Sequence, residues 1–386
     1  MARIDTIKII IISILVLCVT GCNSQPQNIT LKNNPMSWHT TTLPSETGGN
    51  SFDYRLQQYL VLDSHIGFLI GNNSGVEVGN SVGESRSINR SNYQTILFKT
   101  EDGGESFKKS TLGKGTLEQI INDTQKNLYV IKETYATDTI PKKYSILKST
   151  DLGESWKQIS NFDTHRILNV QFYNNTIGIA GIAGEFGKNQ LLKTIDGGKT
   201  WQKLPISTKG INLSTMIFIG KNELYTHHTI DDVNQTATVN FTTGETKINP
   251  CNLMKGYRLR GFFKDHITGN LYSRVYKYDP KESHQLMLYN HTSQKLNTYD
   301  FVSSGKELII GVTVSQNYIG VLRQDNGKTY YYYSYDKGTN WMKEDLPEYL
   351  TAGHPVAMYG RGMVWVRNSI RNLYDFQVRK PDFTRK

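Results

Sequence analysis

Thr194-Ile195-Asp196-Gly197-Gly198-Lys199-Thr200-Trp201 reads as a tight turn between two strands, locked by its own side chains. Asp196 is placed to accept hydrogen bonds from N–H groups further along the turn, as Asp does in Asx-turns. Gly198 can take the positive φ that closes the hairpin at no steric cost. Thr200 can add a hydroxyl bond, and Trp201 opens the next strand with a large ring to bury.

The turn recurs. Thr100-Glu101-Asp102-Gly103-Gly104-Glu105-Ser106-Phe107 and Ser149-Thr150-Asp151-Leu152-Gly153-Glu154-Ser155-Trp156 are full copies. Ser334-Tyr335-Asp336-Lys337-Gly338-Thr339-Asn340-Trp341 differs by Asn340 where Ser or Thr is usual. The aspartates lie 49, 45 and then 140 residues apart (102, 151, 196, 336). A constant period marks stacked supersecondary units. The long gap is three periods and therefore holds two eroded copies. Thr242 in Asn240–Thr246 falls 46 residues after Asp196, and His291 in Tyr289–Ser293 falls 45 before Asp336.

The Ser/Thr-x-Asp-x-Gly-x-Thr/Ser-Trp pattern resembles the Asp-box, or BNR repeat, of bacterial neuraminidases and of non-enzymatic propellers such as those similar to photosystem II assembly factors. The resemblance implies an all-β propeller. The expected structural set is Asp102, Gly104 and Phe107; Asp151, Gly153 and Trp156; Asp196, Gly198 and Trp201; and Asp336, Gly338 and Trp341. Six repeats end near Ser110, Ser160, Leu204, Ile248, Leu296 and Glu344, and about one more repeat follows with three strand-like runs. The fourth strand of that last unit is expected from Pro35–Pro44, where Trp38 precedes Leu43-Pro44. The result is a seven-bladed β-propeller of four-stranded antiparallel blades. The N-terminal strand closes the last blade, which removes exposed edges. Trp38, Trp156, Trp201 and Trp341 are expected between blades.

Residues 1–21 read as a signal peptide: Arg3 and Lys8 precede an apolar run, Ile9 to Val19, too short to span a bilayer comfortably. Val19-Thr20-Gly21-Cys22 resembles the bacterial lipobox, which implies acylation of Cys22. Asn23 after the cysteine implies, by resemblance to the sorting rule of enteric bacteria, the outer membrane facing the periplasm. Residues 22–34 read as the lipidated cysteine and a flexible tether, and 35–386 as one propeller domain. Cys251 then has no partner for an intramolecular disulfide and reads as a buried thiol. The net charge of +10 comes from scattered residues, 44 basic against 34 acidic, which with the signal peptide argues against nucleic acid.

The topology puts box turns and A–B turns on one face, and B–C and D–A loops on the other. The second face carries the longer loops, the longest being Asn72 to Asn92, and is the expected ligand face. Its candidate residues are Arg86, Arg90, Arg166, Arg258, Arg260, Arg323 and Arg371. No box Asp is expected to be catalytic, and no nucleotide, zinc or nucleophile motif is present, so no cofactor or metal is expected. His227-His228 followed by Asp231-Asp232 reads as one packed and one solvated histidine, because neighbours on a strand face opposite ways. The chain is expected to be a lipid-anchored, non-catalytic propeller binding another protein in the bacterial envelope, as an assembly factor or an immunity protein against an incoming toxin would. The alternative is a sialidase-like hydrolase or glycan-binding propeller. For that, a cluster of arginines would clamp a carboxylate, because the guanidinium fork matches its geometry.

Overall fold

In the computed structural model, runs such as Phe68-Leu69-Ile70 and Ile96-Leu97-Phe98 are buried on both faces of their strands. Strands covered on both sides lose the apolar/polar alternation and read as continuous apolar runs. These two runs are the middle strands of one sheet, whose outermost strand, Lys108–Ser110, is largely exposed. The structure describes residues 28–31, 38–44, 54–73, 93–135, 142–162, 166–184, 188–231, 233–251, 253, 256–265, 267–277, 285–300, 307–325, 328–346, 356–360, 363–367 and 375–379.

Seven antiparallel sheets form the wheel. Blade 1 is Tyr54–Val61, Gly67–Asn73, Thr95–Thr100 and Lys108–Ser110. Blade 2 is Thr116–Asn122, Leu128–Thr134, Lys143–Ser149 and Lys157–Phe162. Blade 3 is Ile167–Phe172, Gly178–Ile182, Gln190–Thr194 and Gln202–Lys203. Blade 4 is Ile217–Gly220, Glu223–Ile230, Val233–Asn240 and Thr246–Pro250. Blade 5 is Tyr257–Lys264, Leu271–Lys277, Gln285–Asn290 and Lys295–Asp300. Blade 6 is Glu307–Ser315, Tyr318–Asp325, Lys328–Ser334 and Asn340–Asp345. Blade 7 is Val356–Tyr359, Met363–Arg367 and Asp375–Arg379, completed on its outer edge by Trp38–Thr42. Among the described residues helix is confined to the 3-10 turn Leu213–Thr215.

The N-terminal strand closes the wheel as the sequence predicts: Trp38 pairs with Arg379 and Thr42 with Asp375. Glu344 of blade 6 gathers both ends. It accepts from Trp38 Nε1 at 3.0 Å and from Arg379 Nε at 3.0 Å and Nη2 at 3.2 Å. Burial raises the Glu344 carboxyl, but Arg379 and its other donors outweigh that and hold it below its usual range. Thr41 Oγ1 also donates to the Gly104 carbonyl of blade 1 at 2.6 Å, so the closing strand touches blades on both sides.

One segment departs from expectation. Asn28–Leu31, inside the stretch read as an unpaired tether, is a fifth strand on blade 6, parallel to Asn340–Lys343. An outermost strand leaves one row of N–H and C=O groups unpaired, and an adjacent extended segment can satisfy it whatever its side chains. A polar stretch without apolar period therefore gives no warning of such pairing.

The core is a ring of seams between blades. Trp156, Trp201 and Trp341 of blades 2, 3 and 6 each pack into the seam with the preceding blade. Trp38 lies edge-on to Tyr331 of blade 6. The fifth tryptophan, Trp365, is fully buried and fills the seam of blades 7 and 1 beside Phe107.

Candidate functional site

The two faces are sorted by hydrogen bonds. Gly103 N donates to His65 O, Gly197 N to Thr176 O, and Lys337 N to Asn317 O, at 2.8 to 2.9 Å. Each bond ties a box turn to the A–B turn of its own blade, which sets both on one face.

The box carboxylates are committed to their turns. Asp196 Oδ1 accepts from Thr200 N at 2.9 Å and Oδ2 from Thr200 Oγ1 at 2.6 Å, while Thr194 Oγ1 donates to Oδ1 at 2.8 Å. Asp102, Asp151 and Asp336 repeat the pattern with Ser106, Ser155 and Asn340. The bonds from Thr200 hold the Asp196 carboxyl down at about 2. At Asp102 and Asp336 burial pushes the other way, and the turn's hydrogen bonds outweigh it. Such groups stay ionised and fully bonded, which leaves nothing for acid–base work. Gly338 has φ of +86, and a Cβ there would meet the Tyr299 ring at 2.3 Å. The glycine is therefore needed twice, for the turn and for the approach of the preceding blade.

In the eroded turns an asparagine does the aspartate's work. Asn240 Oδ1 accepts from Thr242 N and Thr243 N, and Asn290 Oδ1 from Thr292 N and Ser293 N, at 2.8 to 3.0 Å.

The inner strands carry a device that the sequence reading missed. In blades 1 to 6 the register of the inner strand shifts by a bulge, between Leu56 and Gln58, Leu117 and Gln119, Ile167 and Asn169, Phe218 and Gly220, Arg260 and Phe263, and Ile309 and Gly311. A bulge re-aims one side chain and frees backbone groups. In blades 1 to 3 the residue after the bulge reaches the backbone of the next blade. Gln58 Oε1 accepts from Ile120 N at 2.8 Å, Gln119 Oε1 from Val170 N at 3.1 Å, and Asn169 Nδ2 donates to Met216 O at 2.6 Å. These amides tie blades 1 to 4 in series. A repeated amide, Gln58, Gln119 and Asn169, four or five residues before the A–B turns of blades 1 to 3, is the signal that marks them.

At the loop-face end of the same strands, charge collects. Glu118 is the bulged residue of blade 2. Burial pushes its carboxyl up and Glu133 adds to that, against Lys142, Arg166 and Arg55. Lys142 Nζ bonds Glu133 Oε1 at 2.6 Å and lies 5.0 Å from the Tyr144 ring centre. Beside them Tyr135 OH meets Thr116 Oγ1 at 2.9 Å, and the Tyr135 ring stands edge-on to Tyr93. Arg55 and Arg166 occupy the same register, one residue before the bulge begins, and both are exposed. This mouth, shared by blades 1 to 3, is the candidate site.

The other predicted arginines are dispersed. Arg258 and Arg260 lie on the inner strand of blade 5, with Arg260 opposite Arg274. Arg274 donates to Ile309 O at 2.6 Å, and burial, with Arg260, lowers it to about 10. Arg323 is 1% exposed, 5.7 Å from the Tyr332 ring centre, so it packs inside blade 6 rather than presenting a fork to a ligand. Arg86, Arg90, Arg371 and Cys22 lie outside the described residues.

Both His227 and His228 are buried, which corrects the expectation of one solvated ring. The loop between blades 3 and 4 folds over them: Thr229 N donates to Gly210 O and Asn212 N to His227 O, each at 2.9 Å. His227 Nε2 and His291 Nε2 both contact Ser273 Oγ, at 3.1 and 2.8 Å, and Tyr225 OH contacts His291 Nδ1 at 3.2 Å. One hydroxyl proton serves one ring, so the other ring donates to the oxygen. Burial pushes His227 down to about 4, and burial with His227 pushes His291 to about 3. Ser273 is fully buried, so this network fills a seam.

A family model described as Sortilin-Vps10 (sortilin, neurotensin receptor 3) matches residues 144–358, which is 215 of 386 residues. The chain belongs to the Sortilin-Vps10 family. The Sortilin-Vps10 match runs from the third strand of blade 2 to the first of blade 7, across two full box turns, the Asn340 variant and both eroded ones. None of the curated proteins matches the chain. Among solved structures, YCF48 bound to D1 peptide is 15% identical with a TM-score of 0.55, over 92% of this chain and all of that one. The β-propeller domain of the Trilobed protease from Pyrococcus furiosus is 8% identical with a TM-score of 0.50, over 86% of this chain and 99% of that one. The Pyrococcus horikoshii acylaminoacyl peptidase is 8% identical with a TM-score of 0.51, over 83% of this chain and 50% of that one. At these identities the likeness is one of fold.

Proposed function

We propose that this chain is a lipid-anchored, non-catalytic propeller that binds another protein in the bacterial cell envelope through its loop face, as an assembly factor or toxin-immunity protein would. The observation that carries the reading is the loop-face mouth. Exposed Arg55 and Arg166 flank a half-buried Glu118, with Tyr93 and Tyr135 alongside. The turn joining the middle strands of blade 4 adds exposed Ile230 and Val233 on that face. Arginine and aromatic groups around apolar contacts are the composition of protein-binding surfaces. Similarity to YCF48, which is solved with a bound peptide, supports the same class. The lipobox at Cys22 supports the anchoring. The test is recovery of partner from envelope extract by the full chain and by an Arg55→Ala, Arg166→Ala, Val233→Ser variant. Recovery is expected to fall at least tenfold with thermal stability unchanged; equal recovery would move the binding surface elsewhere.

Glu118 favours one second reading, a glycan-directed site. A carboxyl pushed up by burial beside arginines suits a general acid. Turnover of a fluorogenic sialoside by the full chain, abolished by Glu118→Gln, would replace the binding-only reading.

A further inference from the structure

The parallel strand Asn28–Leu31 fixes where the N-terminal segment leaves the wheel. Asn28 lies opposite Asn340, and Leu31 opposite Lys343. Asn340 closes the box turn of blade 6, donating its N–H and Nδ2 to Asp336. The Asn28 end is therefore at the box face, and the strand runs from there toward the loop face. Six residue steps separate Cys22 from Asn28, a reach of about 20 Å at full extension. Were the chain unpaired as far as Trp38, the reach would be about 55 Å and either face could turn to a bilayer. The rim strand Asn340–Asp345 itself rises on the order of 20 Å. A tether of 20 Å that starts at its box end is used up merely in drawing level with the loop face.

A second observation points the same way. Among the described residues the two most exposed large apolar side chains are Ile195 and Ile267, at 66% and 57%. Ile195 sits in the box turn of blade 3, and Ile267 in the A–B turn of blade 5, so both are on the box face. Isolated apolar side chains on a surface held against lipid gain from entering the headgroup boundary.

We infer that the docked strand delivers acylated Cys22 to the box face, so that the box turns face the lipid surface and the loop face points away from it toward the partner. This rests on the anchoring reading above. The test uses the full chain with its own signal, in a Cys251→Ala background, returned to vesicles whose headgroups carry a nitroxide quencher. A dye is placed at Lys199→Cys on the box face or at Val233→Cys on the loop face. Quenching at 199 is expected to exceed that at 233 at least threefold; equal or reversed quenching overturns the inference. Ile29→Pro with Thr30→Pro removes a ladder N–H whichever of the two residues supplies it, since neighbours point to opposite sides. That variant is expected to bring the ratio near one, and an unchanged ratio would mean that the pairing does not set the orientation. Membrane fractionation reads the anchor separately. Cys22→Ser is expected to release the chain, and a variant that stays bound overturns the anchoring reading, and this inference with it, whatever the quenching ratio.

Discussion

The seam between blades 5 and 6 and the seam between blades 4 and 5 solve the same problem by different means. In the first, Trp341 is fully buried against Tyr299, Leu286 and Leu288. In the second, Leu296 stands seven residues after Tyr289, where Trp341 stands seven after Ser334. Its room is filled by Tyr225, His227, Phe262 and His291 around Ser273. The box motif therefore has two separable parts, an aspartate that holds a turn and an aromatic ring that holds a seam. When blade 5 lost both, Asn290 took over the turn and neutral histidines took over the seam. Buried polar groups are tolerated when they are bonded to one another, but they carry a proton-linked weakness that a Trp seam lacks.

The largest effect should come from emptying the apolar seam. Trp341→Ala is expected to destabilise the chain by about 3–5 kcal/mol, read by urea denaturation. Leu296→Ala, half-buried at the matching place, should cost about 1–2 kcal/mol. Equal losses would erase the distinction between the two seams. Glu344→Gln removes the charge that Arg379 needs, and breaking a buried pair costs about 3 kcal/mol. A smaller loss would mean that closure does not depend on this pair.

The seams should also part company with pH. His227 and His291 are pushed below their ordinary 6.5 in the folded chain. As pH falls below 6.5 the unfolded chain takes up protons first, so their contribution is present above 6.5 and is lost as pH falls toward about 4 and then about 3. The loss for His227 is at most about 3–4 kcal/mol, taken at 1.4 kcal/mol per pKa unit. Asp196, lowered to about 2, contributes above 3.8 and loses that contribution as pH falls toward 2. Stability measured from pH 7 to 4 should therefore decline in the parent chain and stay flatter in a His227→Gln, His291→Gln variant. An identical decline in both would place the acid-sensitive groups outside the polar seam. The smallest effect concerns the turns alone. Asp102→Ala should cost about 1–2 kcal/mol and Asn290→Ala about 1 kcal/mol, because fewer bonds end on the asparagine. A larger loss at Asn290 would show that the eroded turn also supports the histidine network.

The wheel was legible because Asp102, Asp151, Asp196 and Asp336 mark a period, and because Trp38 with Leu43-Pro44 matched the missing outer strand. Those residues act locally, so their pattern survives in one dimension. Trp365 was not assigned, because it sits on a middle strand far along the chain from the box turn it packs on, where its Nε1 donates to Gly103 O. The burial of His228 depends on a loop from the preceding repeat, and strand alternation says nothing of what covers each side. Arg55, Arg166 and Glu118 come from three blades. Arg166 was named from its blade position, whereas Arg55 and Glu118 are found by aligning inner strands on their bulges, which only the amides Gln58, Gln119 and Asn169 mark in the sequence.

Trp38 and Arg379, which meet on Glu344, are 341 residues apart in the chain. Trp38–Thr42 thus remains without its final partner until Asp375–Arg379 has been made. Contacts of such separation form late and slowly, because the chain must be ordered before they return any stability. The Glu344 junction works as a check on completeness. A chain cut short before Arg379 would carry six finished blades and an open edge, and would stick to its neighbours rather than close on itself.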